Sequence, residues 1–160
     1  MAREHHAQPE DLDAAKRLFG QFRPGKPAVA LLGTVSEEGR PHTTWMFASR
    51  SLDPGVEILT ITSPDSDKVK NVRACSAVEW LLTSQDRMEN LYLEGEAEVV
   101  EDVAEIKRLW NMVGGKEGAF FMRYYNSGMG FSIIRTRVTE VVYAVPEEYR
   151  KVRWPVEELL

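Results

Sequence analysis

The sequence predicts a mainly β fold, a closed antiparallel barrel of six or seven strands with helices on its flanks. Much of the chain divides into short segments rich in apolar and β-branched residues, separated by turn residues. Three such segments follow one another without an intervening helix, whereas a parallel doubly wound sheet needs a helix between successive strands. We expect closure into a barrel because closure removes exposed sheet edges.

The elements can be placed in order along the chain. A helix is predicted at Pro9–Phe22, with proline at its first position and a single apolar stripe. The predicted strands are Ala28–Val35, Pro41–Ser51, Val56–Ser63, Ala77–Ser84 and Asn90–Val100, with one or two more in Phe131–Val145. The first strand is apolar throughout, so we expect it to be buried on both faces. The fifth strand alternates, which predicts one buried face and one solvent-facing face.

Glycines mark special backbone positions in this pattern. Gly39 supplies the positive φ that a hairpin between the first two strands requires. Asp53-Pro54-Gly55 predicts the next turn. Gly95 lies in the middle of the fifth strand, where it indicates a bulge or the close approach of another backbone.

The second half of the chain adds helices and a charged end. Asp102 and Glu105 have the spacing of a capping box, which predicts a helix that ends before Gly114-Gly115. One or two further helical turns are predicted at Glu117–Tyr125, and Pro146–Leu160 is predicted to be irregular. We expect residues 1–8 to be loose, residues 9–145 to form a single domain, and residues 146–160 to be a tail that docks on the domain or on a partner subunit.

Composition limits the classes of function. The chain has 160 residues, 43% hydrophobic residues and a net charge of −5, which is typical of a globular protein and disfavours nucleic-acid binding. Cys75 is the single cysteine, so no intramolecular disulfide and no cysteine metal cluster can form. No signal peptide and no apolar run of transmembrane length is apparent, so we expect a cytoplasmic protein that binds neither metal nor membrane.

The strongest chemical signal lies where the third strand passes into a short helix. Pro64 ends the strand, and Asp65 or Ser66 can cap the helix. The junction carries three hydroxyls and an ammonium group, on Thr62, Ser63, Ser66 and Lys68. Hydroxyl donors, a helix N-terminus and a positive charge together suit a phosphate monoester. The alternative is an ordinary capped helix with a solvated lysine.

Several short segments, taken in their order and spacing, resemble a known family. The segments are Ala28–Thr34 with Gly39–Pro41, Thr62 with Ser66 and Lys68, Asn71 with Val72, Leu93–Gly95 with Ala97, and Leu109–Trp110. Together they resemble the pyridoxamine 5'-phosphate oxidase-like FMN-binding split β-barrel superfamily, and within it the general stress protein 26-like branch. The resemblance extends over most of the chain.

The resemblance implies an FMN site at the interface of a homodimer. The phosphate would be held by the positions of Thr62, Ser66 and Lys68, with Ser63 beside them. The flavin ring would lie along the second strand, at Thr43, Thr44, Trp45 and Met46. Asn90 matches a position that the partner chain offers to the ring, and Trp110 could touch the flavin from its helix.

Two departures from the family pattern bear on activity. The oxidases carry an arginine and a lysine to the phosphate on the second strand, where this chain has Thr44 and Ser49; the adjacent Arg50 should face the other way. Residues 150–160 do not reproduce the basic, proline-bearing segment that helps those oxidases bind substrate. We therefore expect a flavin-dependent oxidoreductase of an unidentified small molecule rather than a vitamin B6 oxidase. The alternative is a non-catalytic binding protein, carrier or sensor, for FMN, deazaflavin F420 or haem. No catalytic residue is predicted.

Overall fold

The computed structural model describes residues 7–51, 55–113 and 130–160. The helices are α1 (Pro9–Phe19), α2 (Asp67–Ala74) and α3 (Val103–Val113). The strands are β1 (Ala28–Val35), β2 (Pro41–Arg50), β3 (Glu57–Thr62), β4 (Ala77–Thr83), β5 (Asn90–Val100), β6 (Ser132–Val145) and β7 (Arg150–Pro155). Asp53, Pro54 and the helical turns predicted at Glu117–Tyr125 lie outside the described residues.

The described strands form one antiparallel sheet that closes on itself. Their order is β3-β2-β1-β4-β5-β6-β7, and an additional pairing of β3 with β6 closes a six-stranded barrel. The remaining strand, β7, pairs with the far half of β6 outside the closed ring. The predicted mainly β fold with an antiparallel barrel and flanking helices is confirmed.

Two apolar cores hold the barrel together. The larger core fills the barrel interior with fully buried side chains such as Leu32, Trp80 and Leu93. Trp80 Nε1 donates to Thr136 Oγ1 at 3.0 Å, so the indole is buried with its polar atom satisfied. The smaller core lies on the outside of β3 and β6, where α3 buries Leu109 against Leu59.

The first strand has the predicted bounds but one face is not buried. Its residues alternate between buried and more exposed, and Val29 on the outer face is 48% exposed. The prediction of burial on both faces was wrong, because apolar composition alone does not show whether another element covers the outer side. The described residues leave an apolar strip at the surface.

Gly95 is both a bulge and a close approach, the two alternatives that its position predicted. The register between β5 and β6 shifts at Glu94 and Gly95. A Cβ on Gly95 would lie 2.1 Å from the carbonyl oxygen of Arg137, a distance that no side chain can tolerate. The bulge bends β5 where the barrel splits into its two halves.

The C-terminal residues are more regular than predicted. Arg150–Pro155 forms β7, and its alternating Val152 and Trp154 lie opposite Tyr143 and Val141 of β6. Charged residues between them face the other side, so an alternating strand was mistaken for an irregular charged tail. Short 3₁₀ turns flank the strand on both sides.

Candidate functional site

The junction between β3 and α2 places two hydroxyls together at a helix N-terminus. Ser66 is the N-cap of α2, and its hydroxyl oxygen accepts from the backbone N–H of Val69 at 3.4 Å. Thr62, the last residue of β3, donates from Oγ1 to the Ser66 hydroxyl at 3.3 Å. Of the two residues predicted to cap the helix, Ser66 does so. Ser63 is exposed beside them.

A buried contact sets the position of α2 over the end of the barrel. Val69 and Val72 insert into the main core, so the helix closes the barrel end. Asn71 donates from Nδ2 to Thr34 Oγ1 on β1 at 3.0 Å, and both side chains are buried. Because the amide has a satisfied partner in the barrel wall, the first turn of α2 is held in a fixed place relative to β1. Sequence reasoning did not assign this supporting role to Asn71.

Lys68 lies in the first turn of α2 with its side chain half-buried. Burial lowers the pKa of its ammonium, and the neighbouring charge of Asp67 acts in the opposite direction. Within residues 7–51, 55–113 and 130–160, Lys68 forms no ion pair. A partly desolvated cation at the positive end of a helix is unfavourable by itself and is stabilised by an anion.

The second strand separates from the third beside this junction. Their ladder runs from Arg50 opposite Ile58 to Ala48 opposite Thr60 and goes no further. Beyond it, β2 continues along β1 alone, which leaves a gap between β2 and the end of β3. Strand alternation places Thr44 and Met46 on the interior face that carries Thr62.

Two other predicted residues of β2 face away from the gap. Thr43 and Trp45 lie on the outer face of the barrel, and Trp45 is 66% exposed. The four positions at Thr43–Met46 therefore divide between two faces. One planar group can meet the side chains of one pair only, although it can lie along the backbone of all four.

The two polar residues at the far end of β2 are directed elsewhere. Ser49 is fully buried and donates to the carbonyl oxygen of Met112 at the end of α3, at 2.6 Å. Arg50 places its guanidinium 5.2 Å from the ring centroid of Phe19 in α1, a cation–π contact. As the alternation of the strand predicted, Arg50 does not take the place of the missing basic side chains.

Trp110 lies at the same end of β3 as the hydroxyl pair. Its ring packs on Phe131, with the centroids 5.0 Å apart and the planes tilted by 47°. The next residue, Ser132, is the cross-strand partner of Thr62. The aromatic pair is therefore close in the sheet to the junction, although Trp110 also packs against the smaller core.

Asn90 is not part of this group within one chain. It begins β5, whereas the end of β5 at Val100 is the neighbour of Ile133, next to Ser132. The ten steps between Asn90 and Val100 correspond to about 33 Å of strand. A small ligand at the β3–α2 junction cannot reach Asn90 of the same protomer.

The described side chains set two further limits. They contain no cluster of three or more His, Cys, Asp or Glu residues arranged to hold a metal ion. Among the same residues, no helix has both the length and the apolar character needed to cross a bilayer.

A split barrel with a polar gap beside a capped helix defines the class of the fold, and the sequence comparison identifies the family. Residues 19–144 match the pyridoxamine 5'-phosphate oxidase family model, and the chain belongs to this family. No curated protein matches the chain in sequence.

Solved structures share this fold at low sequence identity. A protein from Clostridium acetobutylicum related to general stress protein 26 of B. subtilis is 14% identical, with a TM-score of 0.72 over 96% of this chain and 100% of its own. A heme binding protein from Mycobacterium smegmatis is 18% identical, with a TM-score of 0.69 over 96% of this chain and 61% of its own. An FMN binding protein from Nostoc punctiforme related to pyridoxamine 5'-phosphate oxidase is 14% identical, with a TM-score of 0.62 over 94% of this chain and 91% of its own.

Proposed function

We propose that the protein binds FMN with its phosphate at the β3–α2 junction and uses the flavin to oxidise or reduce a small molecule. The observation that carries this proposal is Lys68, a half-buried ammonium without an ion pair in the described chain, at the N-terminus of α2. The Thr62 and Ser66 hydroxyls, 3.3 Å apart, lie in the same turn. A phosphate would accept hydrogen bonds from these hydroxyls and neutralise the cation.

The residues around the junction fit such a ligand in distinct ways. Thr62, Ser66 and Lys68 would hold the phosphate, and the exposed Ser63 adds a hydroxyl beside them. The edge of β2 across the gap offers backbone at Thr43–Met46 against which a planar ring could be oriented. When bound, the flavin supplies the electron or hydride chemistry, whereas these residues bind it and fix its position.

The proposal includes a homodimer with a shared site. Asn90 lies about 33 Å of strand from the neighbours of Thr62 and therefore contacts the ring only from a second copy. Asn90 is half-buried and has an amide that can donate to a ring edge. We expect this dimer to work in the cytoplasm.

The second candidate is a non-catalytic carrier or sensor of FMN, deazaflavin F420 or haem. It is favoured by the side chains at the gap, which in the described chain are hydroxyls, a thioether and one ammonium, without an acid or base. The burial of Ser49 against Met112 and the stacking of Arg50 also leave fewer cations for a phosphate than a vitamin B6 oxidase would use. Solved structures of this fold include the heme binding protein and one titled F420 reductase.

Absorption spectroscopy tests these candidates directly. The purified full chain is measured alone and after addition of FMN, F420 or haem followed by removal of unbound ligand. We expect FMN to be retained at one molecule per chain, and retention of haem or F420 instead would favour the second candidate. Reoxidation of the reduced, bound flavin by a panel of small-molecule acceptors then separates an oxidoreductase from a carrier.

A further inference from the structure

The outer face of β1 and β2 exposes large apolar side chains side by side. Trp45 is 66% exposed, Phe47 51% and Val29 48%. Val29 lies directly opposite Phe47, and Trp45 lies directly opposite Leu31. The described chain has only six exposed large apolar residues, and three of them adjoin in this patch. Such a concentration is typical of a surface that another molecule covers.

The apolar surface continues across two more strands. Leu31 on β1 is opposite Leu81 on β4, and Leu81 is opposite Tyr92 on β5. All three are half-buried, and Lys151 of β7 places its ammonium 5.7 Å from the ring centroid of Tyr92. We call this surface the outer face: Val29, Leu31, Trp45, Phe47, Leu81 and Tyr92.

A second copy of this chain is the occupant that the position of the outer face favours. Thr43 and Asn90 belong to the same side of the sheet, since each is two residues from a member of the outer face. Under the proposed function, on which this step rests, Asn90 reaches the cofactor only from another copy. Docking of two outer faces brings the Asn90 of one copy to the side of the sheet that carries Thr43 and Trp45 of the other.

A row of carboxylates runs beside the outer face. Glu79 on β4 lies opposite Glu94 on β5, and Glu94 lies opposite Glu140 on β6. Arg153 of β7 donates to Glu94 at 2.8 and 3.0 Å and also pairs with Glu140. Glu79 forms no ion pair with any residue that the structure describes. Three carboxylates thus share one guanidinium, and Glu79 is the one without it.

The surroundings of Glu79 make its charge costly. It lines a groove of about 620 Å³ together with Gly33, Thr43, Glu94 and Glu96, and His42 lies at the same groove. Burial raises the pKa of Glu79, the charge of Glu94 raises it further, and Lys151 and Arg153 oppose this. Hydrogen bonds from Arg153 lower the pKa of Glu94. On acidification, Glu79 therefore takes up a proton before Glu94 does.

We propose that a second copy of the chain docks on the outer face, and that the negative charge of Glu79 opposes this docking. Covering the face removes water from a carboxylate that has no cation of its own, which costs free energy unless the group is neutral. Dimer formation then takes up protons, so the dimer tightens as the pH falls.

Sedimentation equilibrium of the full chain between pH 8 and pH 5 tests the proposal. We expect the dissociation constant of the dimer to fall on acidification, about tenfold for each unit by which docking raises the pKa of one Glu79. A two-fold dimer contains two copies, which makes the change about a hundredfold per unit. Glu79→Gln should be a tighter dimer than wild type at pH 8 and should lose most of the pH dependence. Because His42 lines the same groove, the variant decides which group is responsible.

Matched variants locate the surface. Phe47→Glu should weaken the dimer at every pH, whereas Val103→Glu, at a residue 63% exposed on α3, should leave it unchanged. A pH-independent wild-type dimer, or equal dissociation constants of wild type and Glu79→Gln at pH 8, overturns the role of Glu79. A chain that stays monomeric throughout yet binds FMN overturns the docking alone. A pH-dependent dimer that binds no flavin supports the docking and contradicts the proposed function.

Discussion

At the scale of single residues, Lys68 carries the largest expected effect on ligand binding. Its removal deletes a charge-assisted contact with the phosphate, which contributes on the order of 1.5–3 kcal/mol. We predict that Lys68→Ala lowers FMN affinity roughly ten- to hundredfold. The affinity for riboflavin, which has the same ring without the phosphate, should barely change. Titration of flavin fluorescence measures both ligands.

Lys70 provides the control, because it lies on the same helix and is exposed. Lys70→Ala should leave both affinities unchanged, and Lys68→Ala should alter the free energy of unfolding by no more than about 0.5 kcal/mol. Equal losses of FMN and riboflavin affinity in Lys68→Ala would show that the lysine is structural and that any phosphate lies elsewhere.

Asn90 gives a smaller effect of a different kind. If its amide from the second copy donates one neutral hydrogen bond to the ring, Asn90→Ala weakens binding of both FMN and riboflavin by about 1 kcal/mol. The loss should be the same for the two ligands because the contact is with the ring they share. Unchanged affinities in the same titration would remove Asn90 from the site.

At the scale of elements, the β5 bulge depends on the absence of a side chain at Gly95. A Cβ there would lie 2.1 Å from the Arg137 carbonyl oxygen, so the two strands must move apart. We predict that Gly95→Ala destabilises the fold by roughly 1–3 kcal/mol, as overpacking does. Gly33→Ala is the comparison, because its Cβ meets Glu79 backbone at an ordinary 3.5 Å. Urea unfolding should separate the variants, and similar midpoints would contradict the prediction.

Elements whose signals are local in sequence were predicted closely. β1 and β5 have the predicted bounds, and α2 and α3 begin at predicted caps, because alternation and capping depend on neighbouring residues. The charged face of β7 concealed its alternation. The exposure of β1 could not be predicted, because it depends on what covers the strand from outside.

The candidate site divides in the same way. Thr62, Ser66 and Lys68 lie within seven consecutive residues, so their proximity followed from a strand, a turn and a helix cap. The contacts that support the site are long-range: Asn71 meets Thr34, and Ser49 meets Met112. No local pattern announces such pairs, because they form only when distant strands and helices pack together.

At the scale of the whole molecule, an ion-pair cluster ties α3 to the barrel wall. Hydrogen bonds from Arg108 and then Arg135 lower the pKa of Glu105 from 4.5 to about 2. A carboxyl with a lower pKa in the folded state stabilises the fold above its unfolded pKa, and this contribution is lost as the pH falls from about 5 toward 2. We predict that Glu105→Gln is less stable than wild type at pH 7, with the difference shrinking through this range.

Chemical denaturation at a series of pH values measures that difference. Glu101→Gln is a suitable control because its partner Arg73 is on the surface and both side chains are more than half exposed. A constant gap between wild type and Glu105→Gln from pH 7 to pH 3 would contradict the prediction.

One contact links the two ends of the described chain and bears on how the protein is made. Asp11 of α1, 1% exposed, pairs with Arg150 at the start of β7, 139 residues later. An unpaired carboxylate is costly to bury, so α1 cannot settle in its native place until Arg150 is available. During translation, nearly the whole chain must leave the ribosome before the first helix is locked. Synthesis and final folding are thus separate in time, and nascent chains that stop before Arg150 should be open to proteolysis at α1.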